Sequence, residues 1–251
     1  MKGYAFITGA SAGFGAAIAE TLAKEGFQLI IAARRTDRLL EMKSRLSSLP
    51  IDVQILTMDV RNEDEVQQAV ASLAPEVQNN ISILVNNAGL AVGRGPIDQG
   101  ISDDWNRMID TNIKGLLYVT KAVVPFLKKQ KHGHIVNIAS IAGKEVYPGG
   151  NVYCASKHAV DALSRSMRID LVADGIKVTN IAPGAAETEF SIVRFKGDQD
   201  TAASVYEGYD ALQAQDIADS VLFAVTRPAH VNISDITIMP TAQASTSVLH
   251  K

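Results

Sequence analysis

"TGASAGFG", residues 8–15, stands between an apolar run and an amphipathic one, and its reading decides the fold. Gly9, Gly13 and Gly15 let the backbone turn sharply and approach a bulky anion closely. At the start of a helix, where the first N–H groups lack partners, that anion is a phosphate. The preceding "YAFITG" (4–9) reads as a strand. The following "FGAAIAETLAKEG" (14–26) reads as a helix, with apolar residues three and four apart and Gly26 placed to cap its end. Strand, glycine turn and helix in this order predict the first unit of a dinucleotide-binding sheet, with Gly9, Ala10, Ser11, Ala12, Gly13, Phe14 and Gly15 around the pyrophosphate.

The alternation continues along the chain. "FQLIIAA" (27–33), "VQILTM" (53–58), "ISILVN" (81–86), "HIVNIAS" (134–140), "IKVTNIA" (176–182) and "NISDITIM" (232–239) are Ile- and Val-rich and nearly apolar throughout, as suits parallel strands covered on both faces. Amphipathic stretches such as "RLLEMKSRLSSL" and "EDEVQQAVASLA" lie between them. One α/β domain over residues 1–251 follows, a doubly wound parallel sheet with right-handed crossovers. Residues 89–102 and 183–212 break the rhythm. Both follow strands and so belong at the carboxyl edge of the sheet, where open α/β folds bind ligands; residues 185–212 are expected to cover a substrate.

Composition narrows the choice of ligand. Of 251 residues 47% are hydrophobic and 20% charged, with a net charge of -3 and no basic stripe, which argues against a nucleic acid and for a small soluble partner. Cys154 is the only cysteine, so no intrachain disulfide or cysteine metal cluster can form. His132, His134 and His158 lack metal-ligand spacing, and no metal is expected. No apolar run reaches the ~18 residues of a membrane span. With the first strand beginning near Met1, a cytoplasmic protein without a leader is expected.

The second strand ends "LIIAARRTDR", with Arg34 and Arg35 where an NAD-binding fold carries an acid. Arginine forks suit a phosphate, so the cofactor is expected to be NADP. Asp59, closing the third strand with Val60 after it, either accepts from the adenine amino group or caps the next helix.

"NVYCASKHA" (151–159) sets Tyr153 and Lys157 four apart, on one face of a helix. A phenol near an ammonium is expected to ionise more easily and to exchange a proton with a carbonyl or alcohol oxygen. Ser140, at the tip of its strand, is the candidate to hold that oxygen.

These residues resemble the classical short-chain dehydrogenase/reductase family over essentially the whole chain: "TGASAGFG", "NNAG" (86–89), Asn112 in "DTNIKG", Ser140, "YCASK" (153–157) and "PGAAET" (183–188). The resemblance implies a Rossmann fold with seven strands in the order 3-2-1-4-5-6-7, and a homotetramer built on the long helices carrying Asn112 and Tyr153. It implies Tyr153 as general acid/base, Ser140 as oxygen donor, and Lys157 on the nicotinamide ribose. Asn112 would hold a water in a proton relay. Asn86, Ala88, Gly89, Pro183, Gly184, Ala186 and Thr188 join the cofactor contacts. Phe14 departs from the usual Ile or Leu of the glycine loop, a change that preserves binding. A non-catalytic sensor on this fold would be expected to have lost Tyr153, Lys157 or Ser140, and all three are present.

"GGNVY", "ETEFSIVRFKGD" and "RPAHVNISDITIMPTAQ" are similar to the bacterial NADP-dependent 3-hydroxy acid dehydrogenases, and sulfoacetaldehyde reductases look much the same there. Both imply a small acidic substrate; a general carbonyl reductase is the remaining alternative. Arg194 either binds the carboxylate or sulfonate or pairs with Glu187 or Glu189. Tyr147 either adds a hydroxyl or packs. The "TAQASTSVLHK" tail either reaches a neighbouring subunit or is disordered.

Arg34→Asp is expected to lower the ratio of kcat/KM for NADP over NAD by about tenfold or more, since a charge-assisted phosphate contact is replaced by repulsion. Initial rates with each cofactor check this.

Overall fold

A computed structural model describes residues 2–250. Seven strands, β1 (Lys2–Thr8), β2 (Phe27–Ala33), β3 (Val53–Thr57), β4 (Ile81–Asn86), β5 (Gly133–Ile138), β6 (Ile176–Pro183) and β7 (Asp235–Ile238), form one parallel sheet in the order β3-β2-β1-β4-β5-β6-β7. This is the expected order. Every residue of β2 and β5 is buried, whereas the edge strand β7 is not, because inner strands have helices on both faces.

The helices are α1 (Gly13–Lys24), α2 (Thr36–Arg45), α3 (Glu63–Ala71), α4 (Pro75–Gln78), α5 (Ser102–Ile109), α6 (Leu116–Gln130), α7 (Asn151–Leu171), α8 (Phe190–Arg194), α9 (Gln199–Ser204) and α10 (Ala214–Val225). One core layer packs α1, α2 and α10 on one sheet face through Ile18, Leu22, Leu39, Met42, Ile217 and Val221. The other packs α3, α6 and α7 through Val66, Val70, Val119, Val123, Leu127 and Val160. Each fully buried Ile or Leu contributes roughly 1.5–3 kcal/mol.

Local chemistry sets the boundaries. Gly26, at φ 82°, follows α1 in the left-handed conformation expected of its cap. The apolar pattern over 63–74 does not make one helix: α3 ends at Ala71, and Pro75 begins α4, where a missing N–H costs nothing. Strand β5 stops at Ile138, two residues short of Ser140, and β7 is shorter than the apolar run around it.

Polar residues also lie inside the sheet. Asn86 pairs with Asn137 and Asn137 with Asn180 in adjacent strands. Asn86 donates to Asn137 Oδ1 (2.9 Å) and Thr120 Oγ1 (2.9 Å), and Asn137 donates to Ser164 Oγ (2.9 Å). Nearby in β5, buried His134 meets Thr179 Oγ1 through Nε2 at 2.7 Å. Thr179 itself donates to the Ile233 carbonyl, so the imidazole Nε2–H is the donor.

Burial, reinforced by Lys177, lowers the His134 pKa to about 3. The unfolded chain therefore takes up a proton below pH 6.5 that the folded chain refuses until about pH 3. Stability from this group is complete above pH 6.5 and falls toward pH 3, by up to about 1.4 kcal/mol per pH unit. Thermal unfolding of His134→Gln between pH 7 and about pH 4 is expected to show a shallower acid-side loss than the unsubstituted protein.

Candidate active site

The carboxyl ends of the strands open into a cleft of about 840 Å³. At its floor Gly9 and Gly13 have φ of 66° and 52°, conformations open to glycine. A side chain at Gly15 would collide with the Gly9 carbonyl and the Asn87 amide, so α1 starts hard against the loop. Thr8 ties this loop to the next turn: its hydroxyl accepts from the Asn87 and Ala88 N–H groups (both 3.0 Å), while Asn87 Nδ2 donates to the Thr8 carbonyl (2.8 Å). Gly9, Ser11, Ala12, Gly13 and Phe14 line the cleft.

Three of the residues expected around the cofactor are not among those lining the cleft. Ala10 is buried, with its N–H on the Ala32 carbonyl, and Gly15 serves the close approach of α1. Asn86 faces the asparagine row inside the sheet, and its neighbour Asn87 lines the cleft instead. The last residue of a strand can point into the sheet layer while the next one turns outward.

Arg34 and Arg35 line the far end with Asp59 and Val60. Arg35 donates to Ser11 Oγ (3.3 Å from Nε, 3.2 Å from Nη2) and pairs with Glu189 at 3.1 Å. Glu189 therefore holds Arg35, not Arg194. Asp59 does not cap α3; Asn62 does, accepting from the Asp64 and Glu65 N–H groups. The Asp59 carboxylate is gripped by Arg61 (2.6 Å), and although burial works to raise its pKa, the Arg61 bonds hold it below the ordinary value. The glycine cradle at one place and paired arginines at the other fit a phosphorylated dinucleotide. Ala88, Gly89, Pro183, Gly184, Ala186 and Thr188 also line the cleft.

Tyr153, Lys157 and Ser140 converge on its inner wall. Ser140 begins a tight turn, accepting from the Ala142 N–H (3.1 Å) and donating to the Pro183 carbonyl (3.4 Å). Lys157 donates to the Ile138 carbonyl at 2.9 Å, and its Nζ lies 6.0 Å from the Tyr153 ring centre. The expected easing of Tyr153 ionisation by Lys157 is not what this arrangement yields. Burial, with Tyr147 adding to it, raises the Tyr153 pKa well above the ordinary value; Ser140 and Arg194 offset this only in part. Burial also brings Lys157 down to about 8. Burial disfavours the charged form of each group.

Asn112 does not line the cleft. It sits in a π-helical turn, Asp110–Gly115, between α5 and α6. Its Oδ1 accepts from the Leu90 N–H, and its Nδ2 donates to the Leu90 carbonyl and to Ser156 Oγ, all at 2.9 Å. Both Nδ2 protons are engaged, so the side chain clamps the loop after β4 to α7.

Arg194, on α8, reaches back over this wall. Its Nη2 donates to the Tyr147 hydroxyl at 2.8 Å, and its guanidinium carbon lies 5.3 Å from the Tyr147 ring centre and 5.8 Å from that of Tyr153. The buried Nε has no hydrogen-bond partner among the described residues.

Other lining residues were not legible beforehand. Phe190 packs on Tyr153 with ring centres 5.8 Å apart. The tail folds back on its own chain: Gln243 accepts from the Ala185 N–H (2.8 Å), Thr246 bonds Glu145 (3.0 Å), and Leu249 lines the cleft. No local pattern marks such contacts, which join residues about 58 and 101 positions apart.

Behind Ser140 lies an ionic clamp. Lys144 Nζ meets Asp161 Oδ1 (2.5 Å) and Asp235 Oδ2 (2.6 Å); Asn180 donates to both acids, and Arg165 pairs with Asp161. A Cβ at Gly143 would stand 2.5 Å from the Lys157 carbonyl oxygen, so the Ser140 turn rests directly on α7. Lys144 bolts that turn to the helix one turn beyond Lys157.

A cradle for phosphates beside a phenol, an ammonium and a hydroxyl is the arrangement of a dinucleotide-dependent oxidoreductase. Residues 3–199 match the short chain dehydrogenase family, and the chain belongs to it. It is 45% identical over 239 residues, 95% of each chain, to the NADP-dependent 3-hydroxy acid dehydrogenase YdfG of Escherichia coli K12. It is 44% identical over 245 residues to sulfoacetaldehyde reductase 2 of Chromohalobacter salexigens, covering 97% of this chain and 96% of that one. Among solved structures, the closed form of a serine dehydrogenase complexed with NADP+ superposes with a TM-score of 0.93 at 43% identity, covering 99% of both chains.

Lys144→Met is expected to lower kcat about tenfold while changing NADPH affinity less than about twofold, because it loosens the Ser140 turn and leaves the glycine cradle alone. Lys144→Arg should recover most of the rate. Steady-state kinetics with parallel NADPH fluorescence titrations check both.

Proposed function

We propose that the protein is an NADP-dependent oxidoreductase that interconverts a short-chain 3-hydroxy acid and its oxo or semialdehyde counterpart. The cofactor, held between the glycine cradle and Arg34 and Arg35, supplies or accepts the hydride. Tyr153 donates the proton to the carbonyl oxygen, or takes it from the hydroxyl in the opposite direction. Ser140 holds that oxygen by a hydrogen bond. Lys157, its pKa lowered to about 8 by burial, lies beside Gly89 at the inner wall of the cleft, where it serves the nicotinamide ribose. Residues 185–212 cover the site. The relatives named for 3-hydroxy acids and sulfoacetaldehyde support an acidic substrate.

The observation that carries the substrate reading is Arg194. A guanidinium placed over the reacting phenol, paired with no carboxylate among the described residues and holding a buried Nε without a partner, leaves a donor that an anion satisfies. A carboxylate and a sulfonate both fit that fork, so sulfoacetaldehyde is the second reading; a neutral aldehyde would leave the donor unsatisfied.

A homotetramer in the cytoplasm completes the proposal. Ile109 and Leu117 flank the π-helical turn, Ile169 lies near the end of α7 and Val172 just beyond it; all four are exposed apolar groups on or beside the long helices proposed to meet between subunits. No helix among the described residues is long and apolar enough to cross a membrane.

Arg194→Ala is expected to lower kcat/KM for 3-hydroxypropanoate, L-serine, malonic semialdehyde and sulfoacetaldehyde by roughly 10- to 100-fold, the value of a charge-assisted bond, with NADPH affinity and neutral-aldehyde turnover little changed. Initial rates over that panel test it. An equal loss with the neutral aldehyde overturns the anion role, and a neutral aldehyde as the favoured substrate of the unsubstituted enzyme overturns the substrate class.

A further inference from the structure

Arg94 lies in the loop between β4 and α5, and the structure places it with care. Gly93, at φ 72°, donates to the Arg194 carbonyl at 3.0 Å, so this loop is bonded to the segment carrying the anion-binding arginine. The Gly95 carbonyl accepts from Asn151 Nδ2 at 3.0 Å, which ties it to the start of α7. Gly149 lacks the side chain that would occupy the path of the arginine stem: a Cβ there would stand 3.1 Å from Arg94 Cγ. The stem thus runs across Gly149 and sets its guanidinium carbon 5.9 Å from the centre of the Tyr147 ring, the ring that Arg194 approaches to 5.3 Å.

Two guanidiniums therefore share one phenol at the substrate end of the cleft, and both line it. Among the described residues neither pairs with a carboxylate. The acid that lies against this loop, Asp104, whose carboxylate a Cβ at Gly93 would meet at 2.8 Å, is engaged by Lys196, and Glu189 is engaged by Arg35. Like charges so placed repel, and an anionic ligand removes the repulsion. The two are not equivalent. Arg194 also stands over Tyr153, at 5.8 Å, whereas Arg94 is exposed at the rim. They address different points along a bound molecule, one beside the reacting carbon and one farther out.

We infer that the site takes a substrate with two acidic groups, a 3-hydroxy dicarboxylic acid or its 3-oxo counterpart, with one carboxylate on Arg194 and the other on Arg94. This rests on the acidic-substrate reading above. In 3-hydroxyglutarate the hydroxyl stands β to both carboxylates, so either can take the inner position. Its oxidation delivers one hydride to NADP+ and one proton to the protein, as for any 3-hydroxy acid.

The test compares kcat/KM for 3-hydroxyglutarate and 3-hydroxybutanoate, both secondary alcohols, at saturating NADP+. The unsubstituted enzyme is expected to favour the dianion by about tenfold or more, and less so as ionic strength rises. Arg94→Ala should lower the dianion rate about tenfold and the monoanion rate less than about twofold, while Arg94→Lys, which keeps the charge, retains most of the preference. No preference in the unsubstituted enzyme, or an equal loss of both substrates in Arg94→Ala, overturns the inference. Arg194→Ala separates this from the underlying reading: if it weakens both acids while Arg94→Ala alters neither, only the second anion site fails. If Arg194→Ala also changes neither, the acidic-substrate reading fails with it.

Discussion

The side chain of Asn112 is the joint on which the functional face depends. It is 2% exposed and meets three partners: the N–H and C=O of Leu90, and the hydroxyl of Ser156. Leu90 opens the loop after β4 that lines the substrate end, and Ser156 lies between Tyr153 and Lys157 on α7. One carboxamide thereby sets the distance between the central strand's exit and the catalytic helix. The π-helical turn makes this possible, since an extra residue in the helix redirects the side chain inward. Loss of the amide would leave several buried polar groups unpaired, each costing about 1–3 kcal/mol.

Around that joint the site is built by glycines and by charge pairs. Gly9, Gly15 and Gly143 let backbones touch where any side chain would force them apart. Lys144, Asp161 and Asp235 then lock the Ser140 turn to α7 and β7. A further pair, Lys196 with the largely buried Asp104, holds the segment after α8 against α5 at 2.8 Å. Exposed ion pairs are weak, but these join segments distant in sequence and are partly shielded from water, which gives them a hold on geometry.

The electrostatics of the inner wall differ from those of its rim. Tyr153 and Lys157 are buried together with no carboxylate paired to them among the described residues, so desolvation drives both toward their neutral forms. At the substrate end, Arg94 and Arg194 have no acidic partner among the described residues. A neutral proton donor next to unneutralised cations suits an anionic substrate whose carbonyl oxygen gains negative charge as it is reduced.

The sequence alone was sufficient for the fold, because strands buried on both faces and helices buried on one must carry those patterns in order. It also marked Tyr153, Lys157, Ser140, the glycine loop and the two arginines, since helical spacing and strand ends are local properties. The side-chain partners of Asn86 were not legible, because which way a strand-end residue faces depends on its neighbours in the sheet, and the asparagine row exists only once β4, β5 and β6 are in register. Tertiary structure alone decided that Glu189 meets Arg35, that Lys144 meets Asp161 and Asp235, and that the tail returns to the cleft. It also reversed the sense of the Tyr153 shift. Spacing brings an ammonium near a phenol, but the balance of attraction against desolvation depends on how much water the folded chain excludes, and no local pattern of residues contains that quantity.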